Sequence, residues 1–343
     1  MISKLALDPR IDPRIKAMLG DAPQPPKLGD VRDRPALLAE ANTEAAQAAL
    51  AHMKMLFDAL DTEAVASFKG LITRTVDFTS EPDGNLIHIQ FIRPEGDERL
   101  PCIYYIHGGG MQSLSAFDGM YRAWGRLIAG QGVAVAMVDF RNCLTPSSAA
   151  EIKPYPAGLN DCVSGLKWVA DNHGSLGIDP AHIVIAGDSG GGNLTLATGM
   201  KLKRDGDIGL VKGLFALCPY IAGMWPDARY PSSIENNGIL LELHNNRSAM
   251  AYGIEAFEAR DPLAWPAFAN IDDVSGLPST VISVNECDPL RDEGIAFSEL
   301  LVRASVDARC RQLPGITHAA ELLGACPDIS RETAREIANF CRR

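Results

Sequence analysis

Within this 343-residue chain, Gly187-Asp188-Ser189-Gly190-Gly191 has the plainest chemical meaning. It fits G-x-S-x-G, in which a serine sits on a sharp turn between a strand and a helix. The flanks agree with that context. Residues 182–186 (HIVIA) are a short β-branched apolar run, the pattern of a buried strand, and residues 193–201 (NLTLATGMK) continue as a helix. A serine on so tight a turn holds a strained backbone, and side chains on its neighbours would meet the strand and the helix, so glycine is required there. A hydroxyl is a poor nucleophile near neutral pH. It needs a base within hydrogen-bond reach and an acid that fixes the tautomer of that base.

After a serine of this kind the partners follow in the order Asp or Glu, then His. Of the seven histidines only His244 and His318 lie beyond Ser189. His244 has no strand before it to carry it to a sheet edge. His318 follows a strand at 307–313 through a Pro-Gly loop, where a loop residue can face the nucleophile. The acid belongs just past the strand TVISVN, which leaves Glu286 and Asp288, with Asp292 close behind. Asp288 is preferred because Pro289 stiffens the loop that carries it, while Asp292 is expected to cap a helix over 293–305. The negative oxygen of a tetrahedral intermediate needs N–H donors already aimed at it. His107-Gly108-Gly109-Gly110 supplies a close-approaching backbone, so Gly109, Gly110 and Gly190 are the expected donors, the last at a helix N-terminus that favours an anion. Met111 and Asp188, next to these glycines, are expected to touch the substrate. Neither phosphate-binding pattern, G-x-x-x-x-G-K-[ST] nor G-x-G-x-x-G with its distal acid, occurs.

The elements that must carry these residues alternate along the chain. Residues 1–34 read as an extended arm and 35–60 as one helix, whose Met53, Met55, Leu56 and Phe57 are expected to pack, or else to line the lip of a pocket. Residues 71–79 and 86–93 form a hairpin about Glu81-Pro82-Asp83-Gly84. Strands at 101–106, 133–140, 182–186, 213–218, 280–285 and 307–313 then alternate with helices at 118–130, 155–173, 193–201, 293–305 and 328–341. Strands apolar on both faces and separated by helices give a mostly parallel, eight-stranded α/β sheet entered by an antiparallel hairpin. Residues 219–270 break the alternation, with a helical stretch near 245–259 and no strand. The expected division is an arm with cap helices (1–70), a first core part (71–218), a cap insertion (219–260) and a second core part (261–343).

Composition bounds the partners. With 46% hydrophobic and 22% charged residues the chain is an ordinary globular one, and its net charge of −11 argues against nucleic acid or an anionic membrane. No apolar run approaches the ~18 residues of a membrane span. The charged, proline-bearing N-terminus lacks the apolar core of a signal peptide, so a cytoplasmic location is expected. The eight cysteines show no C-x-x-C and no metal-ligand spacing; they read as reduced core thiols, with Cys287 notable for adjoining Asp288. No cofactor and no metal is expected, and the oligomeric state stays open, a homodimer included.

H-G-G-G, G-D-S-G-G-G and D-P-L-R-D-E, in this order, resemble the hormone-sensitive-lipase family of α/β-hydrolases over about residues 70–343. The stretches HGGGM, VDFRN, DPLAWPAFA and VNECDPLRDEGIAF are similar to a bacterial branch of that family that opens a macrocyclic lactone. Met111 replaces the aromatic residue that many relatives carry after H-G-G-G, and residues 140–144 depart from the common Y-R-L-A-P. The resemblance implies a helical cap and a carboxylesterase of short-acyl or lactone-type esters, with Ser189, Asp288 and His318 in the roles reached above. Its rate should rise with pH through a group near the ordinary histidine value of roughly 6.5. Two rivals share the fold: an amidase, and a small-molecule receptor that has lost catalysis. The receptor route typically removes the histidine, which is present here as His318; dehydrating relatives often place Thr at the position of Ser189.

Overall fold

The computed structural model describes residues 2–343. Eight strands form one sheet: β1 (Leu71–Ser80), β2 (Asn85–Pro94), β3 (Leu100–Ile106), β4 (Ala134–Val138), β5 (Ile178–Asp188), β6 (Gly213–Leu217), β7 (Ser279–Asn285) and β8 (Ala308–Leu313). Their spatial order is β1-β2-β4-β3-β5-β6-β7-β8. The first two pairings, β1 with β2 and β2 with β4, are antiparallel, and the remaining five are parallel. Every residue of β4 and β6 is buried, which explains why these strands read as unbroken apolar runs.

The two-residue period sorts side chains between two cores. Cys102, Tyr104 and Ile106 of β3 and Ile183 and Ile185 of β5 pack under the helices Ala157–Asp171, Gly190–Asp205 and Arg291–Arg303. Ile103, Tyr105, Val184 and Ala186 point the other way, beneath Gly119–Ala129 and Pro327–Arg342. The turn at Ser189 therefore leaves β5 between two fully packed layers.

Three expectations about the helices are corrected. The arm is not extended: it forms helices Lys4–Leu7 and Pro13–Leu19, each N-capped by a side chain, Ser3 on the Ala6 N–H and Asp12 on the Arg14 N–H. Leu5, Ile11 and Ile15 then pack with Cys287, Leu313, Ile316 and Ala320 in a third, smaller core. The single helix over 35–60 is two, Arg34–Ala41 and Glu44–Asp58, because Thr43 caps the second by accepting the Ala46 N–H. Phe57 packs against the core, but Met55 is 58% exposed and Leu56 is exposed too, so neither is packed. The stretch near 245–259 is likewise divided at Gly253 into Arg247–Tyr252 and Ile254–Glu258. Among the described residues no helix is long and apolar enough to cross a membrane.

Candidate active site

Three parallel strands, β5, β7 and β8, deliver the three polar side chains from their C-terminal ends. Ser189 follows β5 directly, at φ 53° and ψ −115°, a sparsely populated conformation that costs about 1–3 kcal/mol. The surroundings over-determine it. The Ser189 N–H donates to the Leu217 carbonyl at 2.9 Å, and the Ser189 carbonyl accepts from Tyr220 and Asn193. A Cβ on Gly191 would collide with the carbonyl oxygen of Ile106, so the helix can approach β3 only with glycine there.

His318 Nε2 lies 2.9 Å from Ser189 Oγ, and His318 Nδ1 lies 2.7 Å from Asp288 Oδ2. The other carboxylate oxygen of Asp288 accepts the Leu290 N–H at 2.9 Å, which fixes the plane of the acid. Asp288 is fully buried, Ser189 is 8% exposed and His318 9% exposed, so what access solvent has to the row is at the serine and the imidazole, not at the acid. Burial opposes charge on the imidazole, but the Asp288 carboxylate more than offsets it and holds His318 well above 6.5. The structure thus brings together the three residues that chain order selected. His244 stands elsewhere, with Nε2 on the Ser233 carbonyl. Glu286 is not in the row: its carboxylate accepts the Gly315 N–H at 2.7 Å and so pins the loop that carries His318.

The glycine loop after β3 lies against the turn. A Cβ on Gly190 would fall 2.7 Å from the Gly110 nitrogen and 2.6 Å from that of Met111, so the two backbones meet at van der Waals distance. Among the described residues, the N–H groups of Gly109, Gly110 and Gly190 donate to no acceptor. Gly109 (φ 94°) and Gly110 (φ 64°) are both left-handed, as a loop turned inward requires.

Two expectations fail here. Asp188 is 2% exposed and faces away from the opening; it accepts hydrogen bonds from Tyr105 (2.8 Å) and Tyr121 (3.0 Å). Burial pushes its carboxyl up, with the two hydroxyls pulling the other way. Tyr121 Oη also accepts the Gly108 N–H at 2.7 Å, so Asp188 anchors the glycine loop through a tyrosine instead of meeting substrate. Met111 is buried in the main core, and its carbonyl takes the Cys143 N–H; it backs the loop. Asp292 is corrected as well: the helix Arg291–Arg303 begins at Leu290 without a side-chain cap, and Asp292 Oδ2 accepts the Ser232 N–H at 2.6 Å.

Sequence reasoning passed over several residues that hold this site. Glu293 accepts from Ile221, Ala222 and the Trp225 indole, tying down the chain beyond β6, and burial raises its carboxyl to about 8. Tyr105 and Tyr121 were findable, since a tyrosine inside an apolar strand or helix face needs a partner for its hydroxyl. Among the described residues, the metal-ligating types that converge are Cys218, Asp288 and His318, within 4.8 Å of one another. Asp288 and His318 already spend their atoms on the hydrogen-bonded row. Burial pushes the Cys218 thiol up to about 12, so it stays protonated beside the imidazole. Cys287, set at 0% exposure against the N-terminal helices, is likewise raised, to about 11, and is not a reactive thiolate.

Comparison with known proteins agrees with this architecture. A family described as having the alpha/beta hydrolase fold matches residues 103–322. The solved structure of esterase Est22 is 60% identical, covers 99% of both chains and superposes with a TM-score of 0.98. Brefeldin A esterase, a bacterial homologue of human hormone-sensitive lipase, is more distant than Est22: 35% identity, TM-score 0.86, 98% of this chain and 94% of that one. Carboxylesterase NlhH of Mycobacterium tuberculosis is 34% identical over 71% of this chain and 74% of its own length. The chain belongs to the α/β-hydrolase family, in the group of carboxylesterases homologous to hormone-sensitive lipase.

Proposed function

We propose that the chain hydrolyses short-acyl or lactone-type carboxylic esters through an acyl-enzyme on Ser189. The observation that carries this is the row Ser189 Oγ, His318 Nε2 (2.9 Å), His318 Nδ1, Asp288 Oδ2 (2.7 Å). Ser189 Oγ bonds to the ester carbonyl carbon as its proton passes to His318 Nε2. The oxygen made negative is received by the free N–H groups of Gly109, Gly110 and Gly190. The C–O bond then breaks and His318 returns the proton to the leaving alcohol. Water, deprotonated by the same imidazole, releases the acid and restores Ser189. Asp288 orients the ring and stabilises its charged form throughout.

The two N-terminal helix pairs and residues 219–260 serve as the cap of this proposal. Low exposure of Ser189 and His318 supports a narrow approach that suits small or compact esters. Est22 has been solved with p-nitrophenol, and brefeldin A esterase bears the name of a lactone substrate, which together make small aryl esters and lactones the first compounds to try. A panel of p-nitrophenyl esters of increasing acyl length, with a macrocyclic lactone, should give the highest kcat/KM for the shortest acyl groups or for the lactone. Faster turnover of emulsified long-chain triglyceride would overturn this assignment.

The pH profile is set by His318, and the ordinary value of roughly 6.5 expected from residue type alone needs correcting. Only neutral imidazole accepts the serine proton, and the folded protein holds the imidazolium form to higher pH than usual. Activity should therefore be low at acid pH and rise through a midpoint above 6.5, read from kcat/KM against pH. A midpoint at or below 6.5 would contradict the coupling to Asp288.

A further inference from the structure

We infer that Asn285 and Glu321 act as positioning residues that hold the acid loop and the histidine loop in mutual register. Asn285 is the last residue of β7 and touches both loops at once. Its backbone carbonyl accepts the Asp288 N–H at 3.2 Å, and its side-chain Nδ2 donates to the Thr317 carbonyl at 2.9 Å, one residue before His318. The same Nδ2 donates to Glu321 Oε2 at 2.9 Å, three residues after His318. A single amide thus spans the bases of both loops, behind the ring that bridges Asp288 and Ser189.

The intervening backbone explains why such a tie is needed. Ala319, directly after His318, sits at φ 50°, a left-handed conformation that is unfavourable for a non-glycine residue. The turn Ala320–Leu322 that follows would relax without an anchor, and Glu321 is the anchor.

Stability alone does not account for these residues. Asn285, Thr317 and Glu321 are all buried, yet Asn285 Oδ1, Thr317 Oγ1 and Glu321 Oε1 have no partner among the described residues. Burying a carboxyl with a single hydrogen bond is costly, and an apolar pair of similar volume would hold the fold as well or better. Buried polar groups left partly unsatisfied concentrate where function constrains geometry. Burial raises the Glu321 carboxyl, while the Asn285 amide, Arg311 and His318 favour its ionised form; the neutral Cys218 thiol is the other titratable group near it.

This inference rests on the proposed roles of Ser189, His318 and Asp288. The experiment compares purified Asn285→Ala, Glu321→Leu and Glu321→Gln with wild type and with Ser189→Ala, measuring kcat, KM, the pH profile and the melting temperature. Misplacing a base by about an ångström costs on the order of 10²-fold. Asn285→Ala should therefore lose roughly that in kcat with KM little changed, and its acid limb should fall back toward 6.5 as the His318–Asp288 contact loosens. Glu321→Leu should lose kcat while its melting temperature holds or rises, and Glu321→Gln, which can still accept from Asn285, should recover most of the activity. Wild-type kcat and an unmoved acid limb in Asn285→Ala or Glu321→Leu would overturn the inference, whatever happens to stability. If Asn285→Ala does not fold, Glu321→Leu alone decides, since it leaves the Asn285–Thr317 bond in place. Active Ser189→Ala would instead sink the proposed mechanism itself; inactive Ser189→Ala beside fully active Asn285 and Glu321 variants would sink only the positioning role.

Discussion

Ser189→Ala should lower kcat by at least ~10⁴-fold on a p-nitrophenyl ester while the melting curve stays where it is. The large loss follows from removing the only atom that forms a covalent bond in the proposed reaction. The unchanged stability follows from the backbone. Ser189 at φ 53° is held by three main-chain hydrogen bonds and by the close approach of Gly191 to β3, none of which involves its hydroxyl. Alanine keeps the same Cβ in the same strained position, so the fold loses only one exchangeable hydrogen bond to His318. A mutant retaining near-wild-type turnover after purification from contaminating esterases would end the acyl-enzyme mechanism.

Asp288→Asn should cost nearly as much, roughly 10⁴-fold in kcat, with substrate binding largely preserved. The local geometry gives the reason. One oxygen of Asp288 accepts the Leu290 N–H at 2.9 Å and the other faces His318 Nδ1 at 2.7 Å. An asparagine must keep its oxygen on the Leu290 N–H, which turns its NH₂ group toward Nδ1. The imidazole then carries its proton on Nε2, facing Ser189, and can no longer accept one. Measured kcat and KM should separate, the first falling steeply and the second little. The acid limb should also move toward the ordinary histidine value, since the carboxylate that raises it is gone. Equal activity of Asp288→Asn and wild type would show that another group orients the ring.

Those two effects concern residues that were legible before any coordinates, and the reasons are local ones. A serine between glycines after an apolar strand needs no long-range information, because sterics alone demand that turn. Chain order, with a strand ahead of each candidate, then separated His318 from His244. Choosing Asp288 over Glu286 rests on one neighbouring proline; in the structure Asp288 lies against His318 and Glu286 against the Gly315 N–H. Asp188 shows what adjacency cannot supply. Its place next to the glycines suggests a substrate contact, but strand parity puts it on the face of Val184 and Ala186, where Tyr105 and Tyr121 wait. Alternation along β5 could have said so. The two N-terminal helices were beyond reach for a different reason. Helices Lys4–Leu7 and Pro13–Leu19 are too short to display a period, and their apolar side chains are matched by residues some three hundred positions away. The division of the helix over 35–60 turned on a single threonine cap.

The docking of those first helices onto the far end of the chain has a consequence for how the molecule is made. Leu5, Ile11 and Ile15 leave the ribosome some three hundred residues ahead of Leu313, Ile316 and Ala320, part of the surface that shelters them. While that stretch is being made the earlier segment has greasy side chains and incomplete cover for them, a state that invites capture by chaperones or by other nascent chains. The same handshake secures Gly315 against Asp12, three residues short of His318.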